Sequence, residues 1–498
     1  MSLRANALAN FGGQFFAAAL VLVLAPAYID ALGLEAWGLV GILAMLSVWF
    51  NLLDVGLTPA ISRELAARGQ GNAAAARAAA GLVRCVEWIY LAVVISVISV
   101  VALAASSVAT GGLNLSVLQA GPAGQALMLI GVVVGLRLYE NIYRAVLTGL
   151  EELLVLNLLS SVFALLRWGG GLAFILTFGP PNVVDLFAWQ AAVSALSLLV
   201  FAIVGHRHLR AAVGSARADF AALKRIRGFA AGIAATSALG VLLTQVDKIL
   251  LSRMLPLADF GGYVLAASLV DALSLLAAPL YAALTPRFVR LYEAHDTQAL
   301  AALYLQATQL LAVLLMPCAL LLVVHAEGVI RAWSGDAALA SRIAPLVAVL
   351  ALGRMINASM QLPAALQFGA GWTSLGAKTN LVAVLFLVPL ILLTVPIYGA
   401  LGYAWCWVAL NIGYLAVTTF VLHRRLLPQV RNRWLRDAVL LPAAMALGWM
   451  ITARWLVDMP DGRLALAMVL VAVLVTGIVV VACVSPAARA FARKQLLS

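Results

Sequence analysis

Three arginines within long apolar stretches are the residues of this chain best suited to binding chemistry. They are Arg137, Arg167 and Arg354. A charged side chain at the centre of a membrane-spanning helix costs about 2.5–3.5 kcal/mol on insertion scales, so it usually faces a cavity or a partner. Because guanidinium groups form bidentate bonds to phosphate oxygens, these residues predict a basic cavity that receives an anionic group.

One apolar stretch carries three charged residues on a single helix face. Arg137, Glu140 and Arg144 are separated by three and four residues, and Asn141 adds polarity beside them. Two guanidinium groups on one stripe suit a diphosphate. The structural alternative is an Arg137–Glu140 pair that packs the helix, with Arg144 as an anchor at the membrane surface.

A second polar stripe has the same spacing further along the chain. It consists of Arg354, Asn357 and Gln361. If the chain contains an internal repeat, the two stripes occupy equivalent helices and face each other across a central cleft. Interhelical hydrogen bonding for packing is the alternative. Two other charges within apolar stretches, Asp271 and Lys248, are interpreted as a structural pair.

Arg167 and Asp54 each have two interpretations. Arg167 has no acid near it in the sequence, so it either lines the cavity or forms an ion pair with Glu140 or Glu87. Asp54 lies just before a glycine and a proline that can kink the helix. It is either a gate or an ion site, since acids within spans often relay protons, or a packing acid paired with a basic residue.

Membrane-spanning helices must position these residues. The chain of 498 residues is 64% hydrophobic and 10% charged, whereas soluble domains carry roughly 25% charged residues. A helix needs about 20 apolar residues to cross the hydrocarbon. About fourteen stretches reach that length: 7–31, 37–61, 82–107, 122–147, 153–178, 183–205, 229–255, 262–286, 299–325, 343–368, 371–396, 400–422, 437–456 and 464–484. The predicted fold class is an all-α polytopic membrane protein.

If these stretches cross the membrane one after another, the basic residues lie mainly on one side of it. Of the 32 Lys and Arg residues, 23 fall in the termini and alternate connections, 3 fall in the opposite connections, and the rest lie within or near the ends of spans. The positive-inside rule therefore predicts that both termini are cytoplasmic. The same distribution accounts for the net charge of +12, so no nucleic-acid partner is expected.

Two long basic connections divide the chain into six, six and two helices. The predicted domains are a six-helix lobe over 1–227, a second six-helix lobe over 228–424, and a final helix pair with a basic tail over 425–498. A repeat supports this division, because Leu34–Gly38 and Leu257–Gly261 have similar sequences at an offset of 223 residues. Six helices per unit makes the repeat parallel. Chance similarity among Leu-, Ala- and Gly-rich segments is the alternative.

Neither a cofactor nor a metal is predicted. The sequence contains no G-x-x-x-x-G-K-[ST] loop, so we do not expect ATP hydrolysis by this chain. The four cysteines lie in or beside apolar segments without metal-ligand spacing, and they are interpreted as free thiols.

Several segments resemble one family of transporters. Residues 32–40 read LGLEAWGLV, residues 49–57 read WFNLLDVGL, residues 245–251 read QVDKILL and residues 396–402 read PIYGALG. These segments resemble Wzx-type polysaccharide and O-antigen flippases of the MOP superfamily. The resemblance implies a MATE-like fold of two pseudo-symmetric six-helix lobes plus a helix pair. It also implies transport of an oligosaccharide on a polyprenyl diphosphate from the inner to the outer leaflet, for lipopolysaccharide or other surface polysaccharide. The composition, rich in Ala and Leu, is compatible with a bacterial inner-membrane protein. The sequence does not identify the oligomeric state, and a functional monomer is the expectation.

Two other functions are weighed against the flippase. A MATE-type drug or cation antiporter shares the two-lobe plan, but it should place acids in its cavity, whereas the deep charges here are mainly basic. A membrane glycosyltransferase usually needs a sizeable outer loop, and the longest outer connections, near 108–121 and 326–342, are short. We therefore expect a transporter, not an enzyme. A proton or sodium gradient is a candidate driving force.

Overall fold

The computed structural model describes residues 3–54, 56–66, 73–213, 240–242 and 244–490. These residues form helices joined by short connections, and among them only an isolated bridge between Asn114 and Pro256 has β geometry. The predicted all-α class is confirmed. The chain forms two compact units, Met1–Gly262 and Tyr263–Ser498. The three-part division at 227/228 and 424/425 stays a prediction.

In the described part of the first unit, nine helices follow one another from the N-terminus. They are α1 (Leu3–Phe50), α2 (Leu57–Ala66), α3 (Ala73–Ser107), α4 (Ala120–Gly149), α5 (Leu153–Leu165), α6 (Gly171–Thr177), α7 (Val183–Val213), α8 (244–254) and α9 (Leu257–Asp271), of which α9 ends in the second unit.

Helix α4 is the centre of the first unit, where it packs most extensively against α3 and α7. Its glycines permit this approach. A Cβ atom added to Gly131 would lie 2.8 Å from the Val101 side chain, and one added to Gly135 would lie 2.9 Å from that of Ile98. Small residues four apart let neighbouring backbones come close within a membrane.

The second unit continues, over its described residues, with ten further helices. They are α10 (Ser274–Glu293), α11 (Thr297–Val324), α12 (Ala326–Ser334), α13 (Ala337–Ser359), α14 (Gln361–Gly369), α15 (Thr373–Val417), α16 (His423–Leu426), α17 (Arg431–Trp434), α18 (Leu441–Leu456) and α19 (Arg463–Val484). Hydrogen bonds attach α18 to the end of α11, because Arg454 donates to the Val324 carbonyl at 2.8 Å and His325 donates to that of Met450 at 3.1 Å.

Ten helices among the described residues are long and apolar enough to cross a membrane, and the bent pair α9–α10 can supply an eleventh. Two of the ten are very long, at 36 residues (Ala19–Asp54) and 53 residues (Ser374–Leu426). Gly33 and Gly399 interrupt them with positive φ angles of 81° and 59°, which glycine adopts at little cost. Each long helix therefore corresponds to two of the predicted spans. The predicted span 229–255 lies mostly outside the described residues.

Candidate functional site

A polar cavity of about 220 Å³ lies in the first unit. It is formed by the end of α1, the 3₁₀ turn that follows it, the middle of α4 and the turn after α5. Its lining residues are Ser47, Phe50, Asn51, Val134, Arg137, Leu138, Glu140, Asn141, Arg144 and Arg167. The structure thus brings together three of the four predicted basic residues and two of the predicted polar ones.

Glu140 is buried beside this cavity and holds two of the arginines. Its carboxylate accepts hydrogen bonds from Arg144 Nε at 2.7 Å, from Arg167 Nη2 at 3.4 Å and from Ser197 Oγ at 2.6 Å. Only 2% of the Glu140 side chain is exposed. A buried carboxylate needs such charged and hydroxyl partners, because an unpaired ion would lose several kcal/mol of hydration.

Arg137 does not share this carboxylate. Its Nη2 donates to Gln190 Oε1 at 2.9 Å, so the Arg137–Glu140 pair considered from the sequence is replaced by pairs of Glu140 with Arg144 and Arg167. The Nε atoms of Arg137 and Arg167 are buried and have no hydrogen-bond partner among the described residues. An unsatisfied buried donor costs about 1–3 kcal/mol, and more if it is charged. Both Nε groups would therefore gain stability from binding an additional acceptor, such as a phosphate oxygen.

Arg144 is held inside the unit as well. Its Nη1 donates to Ser160 Oγ at 2.9 Å, and its guanidinium carbon lies 4.7 Å from the centre of the Phe201 ring. This geometry does not fit the interpretation of Arg144 as a surface anchor alone. The cavity therefore carries three guanidinium groups and one carboxylate, which is an excess of positive charge.

Local backbone geometry places Arg167 toward Glu140. The residue lies in a π-helical turn, Leu166–Gly170, between α5 and α6. Such single turns shift the side chains that follow and are frequent at functional sites. The turn is held in place by Tyr28, whose hydroxyl donates to the Trp168 carbonyl at 2.5 Å, and by Trp189, whose Nε1 donates to that of Leu166 at 2.8 Å.

The alternative acid partner of Arg167 is engaged elsewhere. Glu87 lies 3.0 Å from both Arg84 Nη1 and His206 Nε2, and it accepts a hydrogen bond from the Tyr143 hydroxyl at 3.2 Å. Of the two acids considered from the sequence, the structure therefore pairs Arg167 with Glu140.

The polar lining continues toward the end of α1. Asn141 Nδ2 donates to Asn51 Oδ1 at 2.9 Å, which ties α4 to the turn Asn51–Asp54. Both amides retain donors and acceptors for a further polar group. The cavity therefore offers hydrogen-bonding groups beside its cations.

Sequence reasoning missed a third polar stripe, on α7. Gln190, Ser194 and Ser197 are separated by four and three residues and are all buried, with at most 1% exposed. Gln190 bonds to Arg137 and Ser197 bonds to Glu140 and to Arg167, the last at 3.0 Å. The helical spacing of polar residues in an otherwise apolar span was the signal that could have found them.

The second predicted stripe lies in the second unit, where its members have other partners. Arg354 forms an ion pair with Asp271, and its guanidinium carbon lies 5.6 Å from the centre of the Trp407 ring. The interpretation of Asp271 as the partner of Lys248 is therefore corrected.

The helix that was expected to carry this stripe is interrupted. Asn357 Nδ2 donates to the buried Asn411 at 2.9 Å. Helix α13 ends at Ser359 and α14 begins at Gln361, so only Met360 separates the helix of the third member of the stripe from that of the other two, within one candidate span, Ala337–Gly369. A shared cleft for both stripes stays a prediction.

Asp54 is bound by neutral groups. Its Oδ1 accepts hydrogen bonds from the Thr58 amide at 2.9 Å, from the Thr58 hydroxyl at 2.6 Å and from the Tyr90 hydroxyl. These bonds cap the start of α2 after the break at Gly56 (φ 72°). The packing interpretation expected a basic partner, whereas the donors to Asp54 in the structure are two hydroxyls and an amide. A gate or ion role stays a prediction.

No cluster of three metal-binding side chains occurs among the residues that the structure describes.

Comparison with known proteins gives matches over much or all of the chain. The profile of a family described as "Polysaccharide biosynthesis protein" matches residues 3–292. A search of curated proteins found no match. Among solved structures, one titled "Lipid II flippase MurJ, inward closed conformation" has a TM-score of 0.72 at 11% identity, with 99% of each chain covered.

Multidrug transporters share the fold. An inward-facing MATE family transporter of the MOP superfamily has a TM-score of 0.62 at 13% identity, covering 88% of this chain and 96% of its own. The MATE multidrug transporter DinF-BH has a TM-score of 0.60 at 16% identity, covering 85% of this chain and 95% of its own. At these identities the likeness shows a fold that is shared with transporters.

Proposed function

The chain belongs to the polysaccharide biosynthesis protein family, and from this premise we propose that it is a flippase for polyprenyl-diphosphate-linked oligosaccharide. The single observation that carries the proposal is the group of three arginines around the buried Glu140. A diphosphate cannot cross hydrocarbon unaided, so a carrier must offer it cations within the membrane.

The arrangement of charges fits a dianionic head group better than a purely structural network. Glu140 neutralises about one of the three guanidinium groups, which leaves an excess of two positive charges. It also fixes the orientations of Arg144 and Arg167, so less side-chain entropy is lost when a phosphate binds. The Nε donors of Arg137 and Arg167, which have no hydrogen-bond partner among the described residues, can form charge-assisted hydrogen bonds when an anion enters.

The remaining lining suits the sugar next to the diphosphate. Ser47, Asn51 and Asn141 place hydroxyl and amide groups on the side of the cavity near the end of α1. Sugar hydroxyls both donate and accept hydrogen bonds, and side-chain amides can do the same. We assign the phosphate groups to the arginines and the first sugar to these residues.

We propose the direction of transport from the resemblance to the flippase family, and the orientation of the chain from its predicted topology. We propose a bacterial inner membrane with both termini cytoplasmic, because the basic residues lie mainly in alternate connections. As the resemblance implies, we propose that the substrate moves from the cytoplasmic to the outer leaflet by alternating access of the two predicted repeats. Arg354, Asn357 and Gln361 are proposed as a second set of head-group contacts. Asp54 is proposed as the first candidate for ion coupling. The functional unit is proposed to be a monomer without enzymatic activity.

The shared fold supports one competing function, that of a MATE-type antiporter. Such a protein would bind a cation, and the excess positive charge around Glu140 would repel one. The two functions therefore predict opposite preferences for the charge of the transported molecule.

The test is transport by the purified protein in liposomes. A fluorescent polyprenyl-diphosphate oligosaccharide is compared with a cationic dye, for wild type, Arg137→Gln and Arg424→Gln. Arg424 is exposed, so its variant is a control with the same charge change. We expect Arg137→Gln to reduce lipid movement roughly 10- to 100-fold, the range for one charged hydrogen bond, and Arg424→Gln to leave it unchanged. Gradient-coupled dye efflux without lipid movement would assign the protein to the antiporters.

A further inference from the structure

A long apolar groove lies between the two halves of α15, which are separated by the break at Gly399. The first part of the groove is a cavity of about 430 Å³ bounded by residues 378–390 and 406–417. A second cavity of about 400 Å³ continues from Leu390 and Cys406 to Tyr398. The arginine cavity lies in the other unit.

The first cavity is open and its sides are apolar. Phe386 is 73% exposed and Val382 is 53% exposed. Gly413 lies on the opposite helical half, and a Cβ atom added there would meet no atom of the described residues within 4 Å. The missing side chain at Gly413 therefore widens the groove, and in a bilayer an apolar chain would fill this space.

One end of the cavity is basic. Lys378 is exposed and lines it, and no acidic residue is among the lining residues. Beyond Lys378 in the same direction, the guanidinium carbon of Arg425 lies 4.2 Å from the centre of the Trp372 ring. Basic pockets between membrane helices attract anionic head groups, at about 1 kcal/mol per Lys or Arg near the surface.

The length of the cavity matches one leaflet. The distance from Lys378 to Leu390 is about 18 Å at 1.5 Å per residue, and half of a typical hydrocarbon core is about 15 Å. We infer that this groove binds an anionic phospholipid, with its phosphate at Lys378 and one acyl chain along Phe386 and Gly413. A polyprenyl chain would also need the second cavity, so it is the alternative occupant that the experiment must separate.

The experiment uses the full chain in nanodiscs and a phosphatidylglycerol that carries a photoactivatable diazirine in one acyl chain. Cross-links are mapped by mass spectrometry, and a phosphatidylcholine and a polyprenyl phosphate with the same diazirine are used in parallel. The variants are Gly413→Phe, which fills the groove, and Lys378→Gln, which removes the charge. Gly448→Phe is the matched control, because Gly448 lies on α18 and its added Cβ would likewise meet no atom of the described part of the chain within 4 Å.

We expect phosphatidylglycerol to label residues 382–390 and 409–417 more strongly than phosphatidylcholine does. Gly413→Phe should abolish this labelling, Lys378→Gln should reduce it about fivefold, and Gly448→Phe should not change it. If Gly413→Phe does not fold, the Lys378→Gln result decides. Equal labelling by both phospholipids, or unchanged labelling in Lys378→Gln, would overturn the inference. Stronger labelling by polyprenyl phosphate than by phosphatidylglycerol would also overturn it.

Discussion

Gly38 and Gly261 lie against each other, at positions that the predicted repeat makes equivalent. A Cβ atom added to Gly261 would lie 3.0 Å from the Gly38 amide nitrogen and would overlap the Leu34 carbonyl oxygen, and one added to Gly38 would lie 2.7 Å from the Leu257 carbonyl oxygen. The contact is reciprocal, because Leu34 and Leu257 are also equivalent at the offset of 223 residues. The repeat itself stays a prediction.

The first prediction concerns this close approach. Gly261→Ala and Gly38→Ala should each destabilise the protein by about 1–3 kcal/mol, because the added methyl group overlaps backbone atoms that cannot move independently. The double variant should lose less stability than the sum of the two single losses, because either methyl group alone already separates the same two segments. Thermal unfolding in detergent measures the effect. Gly121→Ala is the control, because its added Cβ meets no atom within 4 Å in the part of the chain that the structure describes, and an equal loss of stability there would contradict the prediction.

The second prediction concerns the charge pairs of Glu140. Glu140→Gln leaves Arg144 and Arg167 without their carboxylate, and removing one partner of a buried pair typically costs about 3–5 kcal/mol. Arg144→Gln should cost less, because its side chain is 30% exposed and can regain water. Combining the two changes should cost less than their sum, as a double-mutant cycle on melting temperatures would measure. If the two losses of stability were strictly additive, the Arg144–Glu140 ion pair at 2.7 Å would contribute nothing to the stability of the protein.

The third prediction concerns pH and His325, which lies between spans at the end of α11. Burial lowers the pKa of His325, and nearby Arg454 also disfavours the charged ring. The neutral form is therefore the stable one in the folded protein. The neutral ring's contribution to the stability of the folded protein is complete above the unfolded-state pKa of about 6.5. It is lost as the pH falls through the lowered pKa of the folded state.

His325→Gln should reduce this acid sensitivity, because a neutral amide can still donate to the Met450 carbonyl. The measurement is the melting temperature in detergent at pH values from 8 to 5. The wild type should lose more stability than the variant below about pH 6.5. Identical pH profiles would show that His325 does not take up a proton during unfolding in this range.

Sequence patterns predicted the helical class and the grouping of Arg137, Glu140 and Arg144, because both depend on periodicity along one chain segment. They did not predict that Glu140 would pair with Arg144 and Arg167 while Arg137 bonds to Gln190. These choices depend on how neighbouring helices are rotated about their axes, and on the π-helical turn at Leu166–Gly170. The pairing of Asp271 was missed for the same reason, since its partner is distant in sequence.

The last prediction uses two serines one turn apart on α7. Both are fully buried, but their hydroxyl groups differ in partners. Ser197 Oγ donates to Glu140 at 2.6 Å and accepts from Arg167 at 3.0 Å, whereas Ser194 Oγ has no hydrogen-bond partner among the described residues. Ser197→Ala should lower the melting temperature and reduce lipid transport, because hydrogen bonds to charged groups contribute about 1.5–3 kcal/mol.

Ser194→Ala makes the same chemical change in the same helix without breaking a hydrogen bond. It should be neutral or slightly stabilising, because a buried hydroxyl without a partner is itself unfavourable. Comparing both variants for melting temperature and for transport in liposomes therefore separates the loss of a contact to the charged cluster from the loss of a buried oxygen atom. Equal effects of the two substitutions would mean that Ser197 does not orient Glu140 and Arg167.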